Sequence, residues 1–268
     1  MKKNIEGITE KLEQGMKDLL NSDNWRAYLK TMSRFHKYSF GNCILITMQF
    51  PEASRVAGYK TWQSLGRQVR KGEKAISILA PCPHKRKTEV TRPDGTVEEK
   101  EVVFTTYRAV PVFDISQTDG EDLPQVCNTL TGDVEGFAKL REVLAGVAPV
   151  PVEDEEIKGG ANGYYSFVEN RIAIRRGMSE AQTIKTTIHE IAHSLMHGKD
   201  SDLVEAEVEA ESVAFTVCEY LGIDAGDYSF GYVAGWSDGN MDALKKSLTA
   251  IQKTAHTIIE GIEKGLAA

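Results

Sequence analysis

Five residues in the second half of the chain, His189-Glu190-Ile191-Ala192-His193, combine two imidazoles and a carboxylate at a spacing suited to metal-assisted hydrolysis. On a helix, positions i and i+4 share one face about 6 Å apart, so His189 and His193 can reach one ion. Glu190 then projects beside that ion, where a carboxylate can take a proton from water and return it to a leaving amine. This is the H-E-x-x-H pattern of a zinc peptidase, and it makes Glu190 the candidate general base. Zn²⁺ is the expected metal, and Mn²⁺ or Co²⁺ fits the same donors.

A third ligand is expected from a second helical segment, Leu203 to Leu221, which carries Glu205, Glu207, Glu209 and Glu211. Ala206, Ala210, Val213, Ala214, Val217 and Leu221 form its apolar stripe, with Glu207 and Glu209 at the two edges. Spacing alone does not separate these two carboxylates. His197 continues the i, i+4 series but lies about 12 Å along the axis from His189, too far to share an ion with it. With Gly198 as a helix stop, His197 reads as a last-turn residue facing the helix dipole.

The elements that must hold these residues are legible from periodicity. Residues 1–118 contain 20 Lys and Arg against 13 Asp and Glu, and residues 119–268 contain 12 against 26, so halves of +7 and −14 make up the total of −7. That asymmetry predicts two domains, with an anionic partner for the first. Helical stripes run through Ile5–Leu19 and Trp25–Phe35. Two shorter helices are expected at Cys43–Phe50 and Thr61–Val69. Ala75–Ala80 and Val102–Phe113 read as strands separated by a charged stretch with the turn signal Pro93-Asp94-Gly95. Residues 119–132 read as a linker. After it come a helix through Val134–Leu144, extended segments at Val150–Val152 and Tyr164–Ile174 with a turn at Val168–Ile172, the two metal-bearing helices, and a last helix with Met241, Leu244, Leu248, Ile251 and Ile258 facing the core. The fold class is α+β: residues 1–118, a linker at 119–132, and residues 133–268. The four scattered cysteines read as isolated thiols, and no apolar run reaches the roughly 20 residues that span a bilayer. Without a visible secretory signal, a cytoplasmic protein with no membrane partner is expected.

Arg55, Lys60, Arg67, Arg70, Lys71 and Lys74 lie within twenty residues together with Tyr59 and Trp62. Cations that track phosphates and aromatic faces that stack bases are the mixture that binds single-stranded nucleic acid. Lys85-Arg86-Lys87 and Arg92 add charge in a stretch expected to be a solvated loop.

The chain also resembles the ArdC-type antirestriction family. The resemblance is carried in order by Tyr38-Ser39-Phe40-Gly41-Asn42, Gln49-Phe50-Pro51, Val56-Ala57-Gly58-Tyr59-Lys60-Thr61-Trp62, Leu65-Gly66-Arg67-Gln68-Val69-Arg70-Lys71-Gly72-Glu73-Lys74 and Val112-Phe113-Asp114-Ile115-Ser116-Gln117-Thr118. It implies non-specific binding of single-stranded DNA by the first domain, with Tyr38, Asn42, Tyr59, Lys60, Trp62, Arg67, Arg70, Lys71 and Lys74 as the candidate contacts. The second half resembles the zincin-like domain of the same family and, more distantly, the ImmA/IrrE metallopeptidases. In those relatives the third ligand is the Glu of an E-A-x-x-x-A helix, which implies Glu209 in Glu209-Ala210-Glu211-Ser212-Val213-Ala214. Tyr228–Trp236 also resembles a family segment.

The expectation is therefore a zinc metalloendopeptidase associated with DNA, of antirestriction type and carried on a mobile genetic element, whose protein substrate the sequence does not name. Substrate backbone would pair with a strand near Arg171–Ile174, and Tyr164 or Tyr165 would donate to the carbonyl. The alternative is a non-catalytic protein that coats single-stranded DNA and uses the metal structurally.

Overall fold

The computed structural model of the chain describes residues 2–91, 97–121, 134–224 and 240–268, so the Pro93-Asp94-Gly95 turn, Cys127 and the Tyr228–Trp236 segment lie outside the described residues. Three helices open the fold: α1 (Lys2–Asp18), α2 (Ser22–Arg34) and α3 (Phe40–Gln49). Each start has a local cause. The Asn21 side-chain oxygen Oδ1 accepts from the N–H groups of Asp23 and Asn24 ahead of α2, and Ser39 caps α3 through the Asn42 N–H. Pro51, just past α3, cannot continue it.

The rest of the first half is β-rich. Strand β1 (Val56–Ala57) is followed by α4 (Tyr59–Ser64), β2 (Arg67–Val69), β3 (Ile76–Thr91), β4 (Val97–Asp114), a 3₁₀ turn at Ile115–Gln117 and β5 (Thr118–Gly120). The fourth helix is shorter than its spacing predicted. Gly66 takes φ 72°, a left-handed conformation that ends the helix, and the next three residues pair with β5 as a two-stranded sheet. Asp119 and Gly120, expected in the linker, thus belong to a strand. Strands β3 and β4 also run far beyond the apolar segments that predicted them, as an antiparallel ribbon from Ile76↔Val112 to Thr91↔Val97. Charged cross-strand neighbours sustain its outer part, with Lys85–Glu101 at 2.7 Å and Lys87–Glu99 at 3.0 Å.

The second half contains α5 (Val134–Val147), β6 (Val152–Glu155), β7 (Gly163–Ser166), β8 (Arg171–Arg175), α6 (Glu180–Met196), α7 (Leu203–Leu221) and a last helix, α8 (Met241–Ala267). The sheet order is β6-β8-β7, with β8 parallel to β6 and antiparallel to β7. Asn170, at φ 52°, makes the turn between β7 and β8. Ser179 and Asp202 cap α6 and α7 through their side-chain oxygens, and Gly222 ends α7 in the left-handed region.

The two halves share one core. Trp25, Tyr28, Leu29 and Met32 on α2 are fully buried in the same apolar cluster as Val213 and Val217 on α7 and Leu248, Ile251 and Ile258 on α8. Trp25 Nε1 donates to Ser212 Oγ at 3.0 Å, and Gln252 Nε2 donates to the His36 carbonyl at 2.7 Å. Among the described residues Cys43, Cys82 and Cys218 are free thiols. Burial pushes Cys43 up to about 12, which leaves it an inert core residue.

Candidate metal centre

Helix α6 buries Ile184, Ile188, Ile191 and Ala192 and so turns its polar residues toward α7. The two helices run antiparallel across a short connection, which sets Lys185 and His189 of one against Glu211 of the other, and His193 against Glu207. The Nε2 atoms of His189 and His193 lie 3.0 Å apart. One Glu207 oxygen is 3.4 Å from His189 Nε2, and the other is 3.4 Å from His193 Nε2. Among the described residues, His189, His193 and Glu207 are the group whose donor atoms all fall within 4.8 Å of one another.

A second layer of contacts turns those donor atoms toward the focus. Glu209 accepts from His197 Nε2 at 2.9 Å, and a carboxylate in that position requires the proton on Nε2. His197 Nδ1 is then the acceptor of its 2.9 Å contact with His193 Nδ1, which leaves the His193 Nε2 lone pair facing the site. On the other side Glu211 lies 3.2 Å from His189 Nδ1 and does the same for His189, while Lys185 holds Glu211 at 2.9 Å. Two bare ring nitrogens aimed at one point beside a carboxylate form a donor set that fits a divalent cation.

In the protein alone a proton competes for the His189 Nε2 lone pair: burial works against charge on His189, but hydrogen bonds to Glu207 and Glu211 outweigh it and raise the ring to about 9, so a cation bound there must displace that proton. His189 and His193 hold Glu207 well below the usual carboxylate range. Glu190 is 7% exposed, and burial raises it to about 7, while the Tyr165 backbone N–H donates to its carboxylate. A carboxyl group near neutrality can both accept and return a proton.

The site opens into a cleft of about 760 Å³ lined by β7, α6 and the start of α7. Gly163 on β7 makes a close approach possible, because a Cβ there would lie 2.7 Å from Thr186 Cγ2 and 3.2 Å from Glu190 Cγ. The sheet has β6 and β7 at its edges, of which β7 lines the cleft, whereas β8 is central, so the backbone of Arg171–Ile174, expected to pair with a substrate, is already paired within the sheet. Tyr164 and Tyr165 both line the cleft. The Tyr164 hydroxyl is engaged, donating to Glu155 at 3.1 Å and accepting from Arg171 at 3.0 Å.

Of the expected ligands, the structure brings His189 and His193 together and places Glu209 elsewhere, behind His197. Glu207 stands at the focus in its stead. Positions 207 and 211 are one turn apart on α7 and match positions 193 and 189 on antiparallel α6, whereas 209 points away from both. The signal was present in the i, i+4 spacing on both helices.

The expected DNA contacts divide. Trp62 is fully buried and donates from Nε1 to the Phe113 carbonyl at 2.9 Å, so it is a core residue rather than a stacking platform. Asn42 is also buried and bonds both the N–H and the carbonyl of Leu79 at 2.9 Å, docking α3 on β3. The half-buried Tyr38 donates to the Val56 carbonyl at 3.2 Å. Arg67 is bound by Thr118 and the Gly120 and Glu121 carbonyls, and Arg70 by Glu73 at 2.8 Å and Asp119 at 3.3 Å. These two arginines rivet β2 to β5. Tyr59 is 43% exposed, with its hydroxyl on Gln68. Lys60, Lys71 and Lys74 are exposed with no ion pair among the described residues. No helix among the described residues is long and apolar enough to cross a membrane.

Comparison with known proteins extends the pattern. Residues 1–113 match the family of the N-terminal domain of anti-restriction factor ArdC. An uncharacterized protein of Bacillus anthracis, pXO2-81, is 29% identical over 274 residues, covering 87% of this chain and 46% of the relative. The chain therefore spans about half the length of that curated relative. The metal-free crystal structure of the antirestriction protein ArdC from the R388 plasmid superposes with a TM-score of 0.55 at 23% identity, over 85% of this chain and 86% of that one. The Mn(II)-bound structure of the same protein gives 0.56 at 18% identity, over 96% and 98%. Residues 1–113 are thus similar to the ArdC N-terminal domain, and the chain shares the mixed α+β fold of the R388 protein.

Proposed function

We propose that this chain is a DNA-associated metallopeptidase of antirestriction type, with His189, His193 and Glu207 as ligands of a divalent ion, Glu190 as general base, and a first half that binds single-stranded DNA. The observation that carries the metal reading is the convergence of two Nε2 atoms, 3.0 Å apart, on the two oxygens of Glu207. The net charge of +7 in residues 1–118 and the ArdC N-terminal match support the DNA reading. A bound divalent ion supplies Lewis acidity toward water and a peptide carbonyl. Zn²⁺ suits two imidazoles and one carboxylate with an open position, and the Mn(II) held by the R388 protein is the alternative occupant.

The chain's own residues do the rest. Glu190 receives the proton of the attacking water and passes it to the leaving amine. Strand β7 has no strand partner on its outer side among the described residues, and an extended polypeptide can add there as a further strand beside Glu190. The cleft admits an extended segment from solvent.

The test is Glu190→Gln in the full chain, assayed on unfolded casein with metal content and single-stranded DNA affinity measured on the same sample. Hydrolysis should fall by more than about 100-fold while metal and DNA binding persist. Hydrolysis that survives in the variant overturns the peptidase reading. A wild type that holds the ion, binds DNA and cleaves nothing favours a structural metal instead.

A further inference from the structure

The β3–β4 ribbon carries two unlike faces. Opposed residues of an antiparallel pair project to the same side, so the register sorts them. One side bears Pro81, Tyr107, Lys85, Val103, Lys87, Glu101 and Glu99, and there each lysine is neutralised by a glutamate. The other side continues the row that begins in the core with Ile76, Ile78, Val110 and Val112, then leaves the core and presents Arg108, His84, Phe104, Arg86 and Val102. All five are exposed, Phe104 by 46%. Arg86 and Arg108 have no ion pair among the described residues. Between them His84 and Phe104 stack with ring centroids 5.3 Å apart and an interplanar angle of 25°, and His84 Nε2 is held by Thr106 Oγ1 at 2.7 Å. Six residues of strand separate the Arg108 and Val102 rungs, about 20 Å at 3.3 Å per residue.

We propose that this face is the seat of single-stranded DNA, with Phe104 and His84 as the stacking platform and Arg86 and Arg108 as the phosphate contacts. The inference rests on the reading above that the first half binds single-stranded DNA, and it moves the binding surface out of the 55–74 cluster. Three facts favour it. Trp62, Arg67 and Arg70 of that cluster are committed to the fold. Arg86 and Arg108 share one face and have no ion pair among the described residues, whereas Lys85 and Lys87 on the other face are paired with glutamates, so the charge complementarity to a phosphodiester is one-sided. An aromatic face held flat and exposed between cations, on the outer part of the ribbon, meets the needs of a base and its flanking phosphates.

The experiment is fluorescence anisotropy of a labelled twenty-nucleotide oligo-dT with the full-length wild type and variants, at 50 and 200 mM salt, with circular dichroism as the check on folding. R86E/R108E should bind at least tenfold more weakly at 50 mM salt. Its log Kd against log salt slope should be shallower by about 1.4, because each phosphate contact to a single strand contributes about 0.7. Phe104→Leu should lose about 5-fold or more and Phe104→Trp should retain affinity, since a base needs a π face of about 1–3 kcal/mol. Both ribbon variants binding within twofold of a wild type that binds well would overturn the assignment and leave the DNA reading standing, with K60E/K71E/K74E then expected to show the loss. A wild type that does not bind the oligonucleotide overturns both.

Discussion

At the scale of single residues, the third metal ligand separates what spacing conveys from what a packed pair of helices adds. The H-E-x-x-H signature was readable because both imidazoles and the proposed base lie on one helix. The carboxylate was not, because its direction depends on how α7 docks on α6, and one family-like motif pointed to Glu209. The geometry predicts different outcomes for the acidic positions. Glu207→Gln should abolish stoichiometric Zn²⁺ uptake, whereas Glu209→Gln and His197→Ala should weaken it by about 10–100-fold through loss of the orientation of His193, as measured by competition with a chromophoric chelator. Equal loss from Glu207→Gln and Glu209→Gln would contradict the arrangement. A second residue-scale prediction concerns Asp114, which is 1% exposed. Burial alone would raise its carboxyl, but N–H groups of Arg55, Ser116 and Ser54 donate to it at 2.8–2.9 Å and hold it below the usual range. A group depressed in the folded state contributes stability above its unfolded value of about 3.9, and that contribution fades as pH falls through the folded value. Asp114→Asn should therefore lower Tm at pH 7 by several degrees, and the deficit should shrink as pH drops below about 4. A deficit that stays constant across that range would show that charge on Asp114 is immaterial.

At the scale of elements, helices were the most legible. Each of the five longest follows an apolar period, and in the structure Asn21, Ser39, Ser179 and Asp202 cap the starts of α2, α3, α6 and α7. The ribbon was the least legible, because its outer rungs hold strand conformation through paired charges and hydrogen bonds rather than through an apolar face. Its alternation is visible only once the partner register is known. The hairpin of β7 and β8 was legible as extended chain with a turn at Val168–Ile172, but the strand open to the cleft was not, because sheet order decides which of the two lies at the edge. Gly163 sets the distance between β7 and α6, so Gly163→Ala should drive Thr186 and Glu190 aside. Differential scanning calorimetry should record a lower Tm, by about 2–4 °C for each kcal/mol of overpacking, and the same change should impair Glu190 more than the ligands. Zn²⁺ content that falls as far as hydrolysis would refute this ordering.

At the scale of the whole molecule, the composition divides the chain into a basic and an acidic half, and the core joins them. Charge asymmetry made the contrast between the halves legible, but the α2–α7 contact was hidden, since nothing local announces that the stripe of one helix seats on another nearly 190 residues away. Trp25→Ala should cost about 3–5 kcal/mol and melt the metal-bearing half together with the first, in one calorimetric transition. Two resolved transitions would contradict a shared core. The seam formed by Trp25 and Ser212 also constrains how such a chain can change by descent. A swap of halves between relatives must bring a matching tryptophan pocket on the incoming helix or leave both pieces insoluble. The outer part of the ribbon, whose described residues lie outside the shared core, is free to lengthen, shorten or alter its sequence. Divergence among such chains should therefore concentrate on that arm, while the two halves are inherited as a pair.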